Sequence, residues 1–187
     1  MRLQNLFLIA LLAVSCQSGT YRLALEGRLE QDYSDEDSFE PGDNPIGASV
    51  AIMSVPIQGA EWPIGWEIGF GQGIDSFRIP GGEYELWHRK AWAGVNYAFL
   101  DGHWRPYLGT GVQFSQQGVD LTFGGAELEQ DAHDIGPYLE AGMRVRFNLS
   151  SHFVMGYRRT MGLEGSIGAL DVDLEYGQAF VGFGYSF

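Results

Sequence analysis

Arginine, lysine and glutamate side chains recur at alternate positions of several segments, with apolar residues between them. Successive side chains of a strand point to opposite faces, so each such segment would present one charged and one apolar face. A buried charge without a partner is too costly to keep, and charges of both signs on one face can pair. The pattern therefore predicts an ion-pair network inside the fold. Its members are Arg22, Glu26, Arg28, Glu67, Lys90, Arg105, Glu140, Arg144 and Arg146.

Eight segments have the alternation of a strand and would position these charges. They span residues 21–30, 46–55, 62–72, 83–99, 104–116, 134–148, 152–161 and 173–187. Their connections alternate between long and short, beginning with a long one. Every second connection of an up-and-down barrel lies on the same side, so all the longer loops fall at one end. The fold class predicted is all-β, an eight-stranded antiparallel up-and-down transmembrane β-barrel.

The two faces of these strands decide between a membrane barrel and a soluble one. Apolar residues would face lipid, and charged residues would face a polar interior. Aromatic residues gather near the strand ends, as the interfacial girdles of membrane barrels do. A soluble periplasmic lipocalin-like barrel that binds an apolar ligand is the alternative, but its interior would be apolar. The residues near the short turns are Tyr97, Phe99, Trp104, Phe147, Phe153, Tyr185 and Phe187; those near the longer loops are Phe70, Trp87 and Phe114.

The last strand ends on an aromatic residue at the last position of the chain. Gly182, Tyr185 and Phe187 resemble the C-terminal signal of bacterial outer-membrane β-barrels, a glycine followed by hydrophobic positions that end at an aromatic residue. With the loop alternation, the chain resembles the OmpA/OmpX-like family of small eight-stranded barrels over residues 21–187. The resemblance implies a monomer in the bacterial outer membrane, recognition by the barrel assembly machinery, and contact with outer-membrane lipids and lipopolysaccharide.

The beginning of the chain has the pattern of an export signal. Residues 1–15 combine an early arginine with an apolar core and are expected to be a signal peptide. Residues 12–16 resemble a bacterial lipobox, which implies lipidation of Cys16, the single cysteine of the chain. Ordinary cleavage after Ser15 is the alternative. Residues 16–20 would then form a short lead into the barrel domain, residues 21–187.

The predicted interior network has a structural and a functional interpretation. Eight strands leave an interior just wide enough for side chains to fill, which favours a structural network over a gate or a proton path. Large inward residues such as Trp92, Tyr107 and Tyr138 make an open diffusion pore unexpected. Arg158 and Arg159 are adjacent, so alternation sends one of them outward. Either a bulge brings both inward, or the outward arginine meets a lipopolysaccharide phosphate.

Acidic residues are concentrated in the longer connections, and the chain has a formal net charge of -13. The simplest interpretation is a solvated, repulsive rim. The alternative is Ca²⁺ binding, because this ion takes six to eight oxygen ligands at flexible spacing. The best candidates are Asp35, Glu36, Asp37 and Asp43. No other cofactor is expected, and the acidity argues against a nucleic-acid partner.

The histidines offer little for catalysis. His103 and His152 fall at short turns, where we expect them to be solvated. No histidine begins the His-x-Ser pair of a lipid A deacylase. The serines and His133 near the longer loops could form another lipid A-modifying site, but any acidic loop region offers as much. We therefore expect a non-enzymatic outer-membrane barrel with a filled lumen and a structural or surface-interaction role.

Overall fold

The computed structural model describes the parts of the chain that form strands, with gaps between them. Among the described residues, no helix is long and apolar enough to cross a membrane. Described are residues 21–33, 46–56, 63–79, 82–99, 102–123, 126–167, 170–173 and 176–187. The strands are β1 (Tyr21–Tyr33), β2 (Ile46–Pro56), β3 (Ile64–Ile79), β4 (Gly82–Ala98), β5 (Trp104–Phe123), β6 (Ala126–Arg146), β7 (Ser151–Thr160), β8 (Glu164–Ile167), β9 (Leu170–Asp173) and β10 (Gly177–Ser186).

Eight of these strands close into a barrel in the order β1-β10-β7-β6-β5-β4-β3-β2. All neighbours are antiparallel, and β10 closes the barrel against β1 from Tyr33↔Gly177 to Ala24↔Ser186. The fold class predicted from the sequence is thus confirmed. We call the end that carries Phe187 and the β4–β5 and β6–β7 turns the lower end, and the opposite end the upper end.

The connections at the upper end differ from the prediction. Residues 118–133 were expected to form a loop, but β5 and β6 continue pairing up to Phe123↔Ala126. β3 and β4 likewise pair as far as Ile79↔Gly82. These extensions contain many acidic residues and glycines, which favour a loop, although Val119, Leu121 and Phe123 on β5 continue the apolar alternation of a strand. The last barrel strand begins at Gly177 rather than at residue 173, because β8 and β9 form a separate two-stranded hairpin before it.

The outer and inner faces of the barrel have opposite character. Exposed apolar side chains cover the outside, and the buried side chains of the inside are mostly charged, amide or aromatic. Tyr97 and Phe99 pack edge to face at the lower end, with ring centroids 5.2 Å apart. The outward apolar residues include Leu25, Leu29, Ile68, Phe70, Val95, Tyr97, Phe99, Trp104, Leu108, Val112, Ile135, Leu139, Phe147, Val181, Phe183, Tyr185 and Phe187.

Candidate functional site: the charged interior of the barrel

Arg28 lies at the centre of the interior and contacts acids from three strands. Its guanidinium Nη2 is 3.1 Å from Glu26 on β1 and 3.4 Å from Glu67 on β3, and Nη1 is 3.3 Å from Glu140 on β6. All four side chains are buried. Strands that are distant around the barrel wall are therefore connected directly across its axis.

Arg158 on β7 is a second central cation that the sequence left unassigned. Its Nε donates to Glu140 Oε2 at 2.8 Å, and its Nη2 donates to Glu67 Oε1 at 3.0 Å. The pairing of β7 with β10 runs without interruption from Ser151 to Arg159, so no bulge turns both arginines inward. Arg158 is buried and Arg159 is exposed. Three acids and three arginines, counting Arg144 described below, balance at the centre.

Aromatic side chains complete the coordination of the central acids. Trp92 Nε1 and the Tyr138 hydroxyl each donate to Glu67 Oε1 at 3.0 Å, and the Tyr107 hydroxyl donates to Glu140 Oε1 at 2.7 Å. The rings also hold the cations, since the Arg158 guanidinium lies 4.2 Å from the Trp92 ring centroid and 4.4 Å from that of Tyr138. Charge and ring packing together fill this level of the interior.

Glycines on the inner face make room for these rings. A Cβ at Gly69 on β3 would lie 2.2 Å from the Trp92 ring, and a Cβ at Gly94 on β4 would lie 2.2 Å from the Tyr138 hydroxyl. Packing of the interior therefore explains why glycines alternate with outward apolar residues on these strands. They allow a narrow barrel to enclose two large rings beside two guanidinium groups.

Below the centre, Glu26 also contacts Arg144 and His152. Arg144 Nε donates to Glu26 Oε1 at 2.7 Å, and His152 Nε2 lies 3.0 Å from the same oxygen. The expectation that His152 is solvated is wrong, because β7 begins at Ser151 and its register turns the imidazole inward. His103, by contrast, is exposed in the turn before β5, with Nδ1 3.3 Å from the Arg146 carbonyl oxygen.

The other arginines of the predicted network lie at the lower opening, away from the central acids. Arg22 Nη1 donates to the Leu149 carbonyl at 2.9 Å, and Arg105 Nη1 donates to the Pro56 carbonyl at 2.7 Å. Arg22 and Arg146 are half-buried, and both line a recess there together with Arg105 and Arg144. The structure thus divides the predicted set into a central group and a lower group.

Lys90 and two acids of β1 form a third group near the upper end. Lys90 pairs with Glu30, which also accepts a hydrogen bond from Ser49 at 2.5 Å. Asp32 was expected in an acidic loop, but β1 continues to Tyr33 and turns Asp32 inward. There its carboxylate lies 2.9 Å from His88 Nδ1. Asp32 continues the inward alternation of β1 beyond the predicted end of the strand, and this pattern could have predicted that it faces the interior.

The remaining candidate residues have no described role in this interior. Cys16, Asp35, Glu36, Asp37 and Asp43 lie outside the described residues, as do the segments predicted to be a signal peptide and a short lead. Within the described ranges, no group of three or more histidine, cysteine or acidic residues could hold a metal ion. Gly182 packs against β1, and Tyr185 and Phe187 are exposed at the lower end, on the lipid-facing side expected for a C-terminal signal.

No family model matches the sequence, and no curated protein matches it. Solved structures do resemble the barrel. Ail, the attachment invasion locus protein of Yersinia pestis in complex with the heparin analogue sucrose octasulfate, is 13% identical, with a TM-score of 0.60 over 89% of this chain and 97% of that one.

Two further solved structures extend the likeness. A major outer membrane protein of Thermus thermophilus is 12% identical, with a TM-score of 0.61 over 89% of this chain and 99% of that one. The outer membrane protein OprG of Pseudomonas aeruginosa is 17% identical, with a TM-score of 0.59 over 90% and 96%. The chain therefore has the fold of the small eight-stranded barrels of bacterial outer membranes, as its resemblance to the OmpA/OmpX-like family implied.

Proposed function

We propose that the protein is a non-enzymatic outer-membrane barrel whose lumen is closed by its own side chains, and that it acts through its membrane-embedded wall and its upper end. The observation that carries this proposal is the central contact set of Arg28 and Arg158 with Glu67 and Glu140. These groups reach the barrel axis from four strands and bind one another. An open channel would need these ion pairs to separate.

The register of β3 to β6 supports a membrane boundary on the outer face. One row across these strands is apolar and the next row toward the upper end is polar, as at the edge of a hydrocarbon layer. The apolar row is Phe70, Ala91, Phe114 and Ile135; the polar row is Gln72, Arg89, Gln116 and His133. Arg89 also lies over the Trp87 ring, 4.7 Å from its centroid, which fits a side chain at the headgroup level.

The outward arginine of the polar row gives this boundary a lipid partner. Arg89 on β4 is exposed in that row, next to Gln72 and Gln116. Guanidinium groups bind phosphate in a bidentate way, so the phosphates of lipopolysaccharide are the partner that we propose for it. The lipid-facing residues are spread around the whole barrel, which supports a monomer.

Membrane fractionation tests the location. We expect the protein to remain in carbonate-washed outer membranes, to require detergent for extraction, and to migrate differently on a gel before and after heating, because the folded barrel resists the detergent until heated. A water-soluble protein without a heat-dependent shift would contradict the proposal. A Leu139→Asn variant is a useful comparison, since it places a polar group in the apolar belt and leaves the interior contacts intact.

A further inference from the structure

We propose that a groove on the outer face of the upper end is a binding site for a sugar ring, either free or carried by a glycolipid. The groove has a volume of about 220 Å³ and crosses β3, β4, β5 and β6. It begins at the polar row of the outer face and continues above it. Three successive rows of outward residues line it, with Gln72 and Arg89 in the lowest, Ile74 and Trp87 in the middle, and Glu85 and Asp120 in the highest.

Trp87 gives the groove a fixed apolar part. Its indole lies against β5 at Gly118, where a Cβ would be 2.2 Å from the ring. The Arg89 guanidinium covers the same ring, 4.7 Å from its centroid. Ile74 is the neighbour of Trp87 in register and is exposed. A sugar needs such an apolar contact for its C–H groups, with polar groups placed beside it for its hydroxyls.

Donors and acceptors lie at opposite ends of the groove. Arg89 in the lowest row can only donate hydrogen bonds, and ionised Glu85 and Asp120 in the highest row can only accept them. Between them, Gln116 Nε2 donates to Asp131 Oδ2 at 2.8 Å. A hydroxyl group both donates and accepts, so the hydroxyls of one sugar can bond to both ends. A simple cation or a simple anion would use one end and be repelled by the other.

A buried acceptor without a donor is a further argument. Asp120 lines the groove, and its Oδ1 is buried without a hydrogen-bond partner in the described part of the chain. Its cross-strand neighbour on β4 is Glu85, and like charges in opposite positions destabilise a strand pair. Leaving a buried carboxylate oxygen unsatisfied is costly. A ligand hydroxyl in the groove would supply the missing donor.

Titration of the full-length protein in a neutral detergent without a sugar headgroup tests the site. Glucose, galactose and N-acetylglucosamine are added separately, and saturation-transfer NMR measures their binding. We expect saturable binding of at least one of them, weakened at least about tenfold in Asp120→Ala, because a charged acceptor is lost. The matched control is Asp134→Ala, on β6 and outside the lining, which should bind as the unchanged protein does. If Asp120→Ala does not fold, Gln72→Ala replaces it and should weaken binding severalfold.

A lipid arm distinguishes a free sugar from one on a glycolipid, and it alone rests on the proposed membrane location. Thermal unfolding is compared in micelles that contain lipopolysaccharide or lipid A, at equal lipid phosphate. Extra stabilisation by lipopolysaccharide that Asp120→Ala loses assigns a lipid-linked sugar; sugar binding without this difference assigns a free sugar.

Three outcomes overturn the proposal. The first is that neither the three sugars nor lipopolysaccharide has an effect. The second is that Asp120→Ala and Asp134→Ala weaken the effect equally. The third is that ethanolamine or inorganic phosphate binds as tightly as the sugars do. Because the sugar titration needs no membrane, its failure is separate from a failure of the proposed location.

Discussion

Arg158 and Arg159 are neighbours on β7 and have opposite surroundings. The Arg158 side chain is 1% exposed, binds Glu67 and Glu140, and lies between the rings of Trp92 and Tyr138. Arg159 points outward and is exposed. The same residue type therefore has a different cost and a different role on the two faces of one strand. Inside, its charge is part of a balanced set of buried groups; outside, it stays exposed on the wall of the barrel.

The largest effect that would sharpen this comparison is expected from Arg158→Met. The substitution leaves Glu140 and Glu67 with less compensating charge in a buried site, which costs roughly 3–5 kcal/mol of unfolding free energy. The matched Arg159→Met variant removes an exposed charge and should change stability by less than about 1 kcal/mol. Urea unfolding of both variants in lipid vesicles gives the two values. Equal losses in the two variants would remove the distinction between the faces.

Val112→Arg tests the other face by placing a charge where lipid is expected. Val112 is outward on β5, between Gln116 in the upper polar row and Trp104 at the lower end, and both of its cross-strand neighbours are uncharged. A charged side chain at the middle of the bilayer costs roughly 2–4 kcal/mol in a β-barrel. Unfolding in vesicles should show this loss, and Leu149→Arg, in an exposed lower turn, serves as the control. A neutral Val112→Arg would mean that this wall does not face hydrocarbon.

Gly69→Ala and Gly27→Ala compare the two faces with the smallest possible change. A Cβ at Gly69 would meet the Trp92 ring, whereas a Cβ at Gly27, which faces outward on β1, has no atom within 4 Å. Overpacking of the interior should cost about 1–3 kcal/mol, and the outward alanine should be close to neutral. Thermal unfolding in detergent, followed by tryptophan fluorescence, measures both. Similar melting temperatures for the two variants would show that the interior can expand.

Tyr107→Phe should have the smallest effect of the series. It removes one donor to Glu140, but Arg28 and Arg158 still bind that carboxylate. We expect a loss of about 1 kcal/mol, at the lower end of the range for a missing buried hydrogen bond. Tyr185→Phe, on the exposed lower rim, is the control and should be neutral. Denaturant unfolding measures the stability of both variants. A loss of unfolding free energy in Tyr107→Phe that exceeds the loss in Arg158→Met would contradict this account.

The strand alternation was enough to predict the barrel and the inward side of most charges. The pattern works because one face of each strand meets the interior and the other lies on the outside of the barrel, so residue type changes at every position. It placed Arg28, Glu67 and Glu140 on the interior face without any knowledge of their distances. It also placed Trp92 and Tyr138 inward, where the structure finds them.

Other features could not be predicted from the alternation alone. The upper extension of β5 does alternate, with Val119, Leu121 and Phe123 between polar residues, but the glycine pair and the acidic residues that follow it favour a loop. The choice between Arg158 and Arg159 depends on the register with β10, which is a long-range property. Alternation predicts which face of a strand a residue occupies, but not its height along the barrel. That height determines that Arg144 contacts a central acid and that Arg22 lies at the lower opening.

The conductance of single barrels in a planar lipid bilayer tests the closed lumen most directly. The account predicts no steady conductance for the unchanged protein, because Arg28, Arg158, Glu67 and Glu140 bind one another across the axis. A Glu140→Gln variant that still folds, as shown by its heat-dependent gel shift, should show openings as the arginines lose a partner. A large, steady conductance of the unchanged protein that Glu140→Gln leaves unaltered would contradict the account.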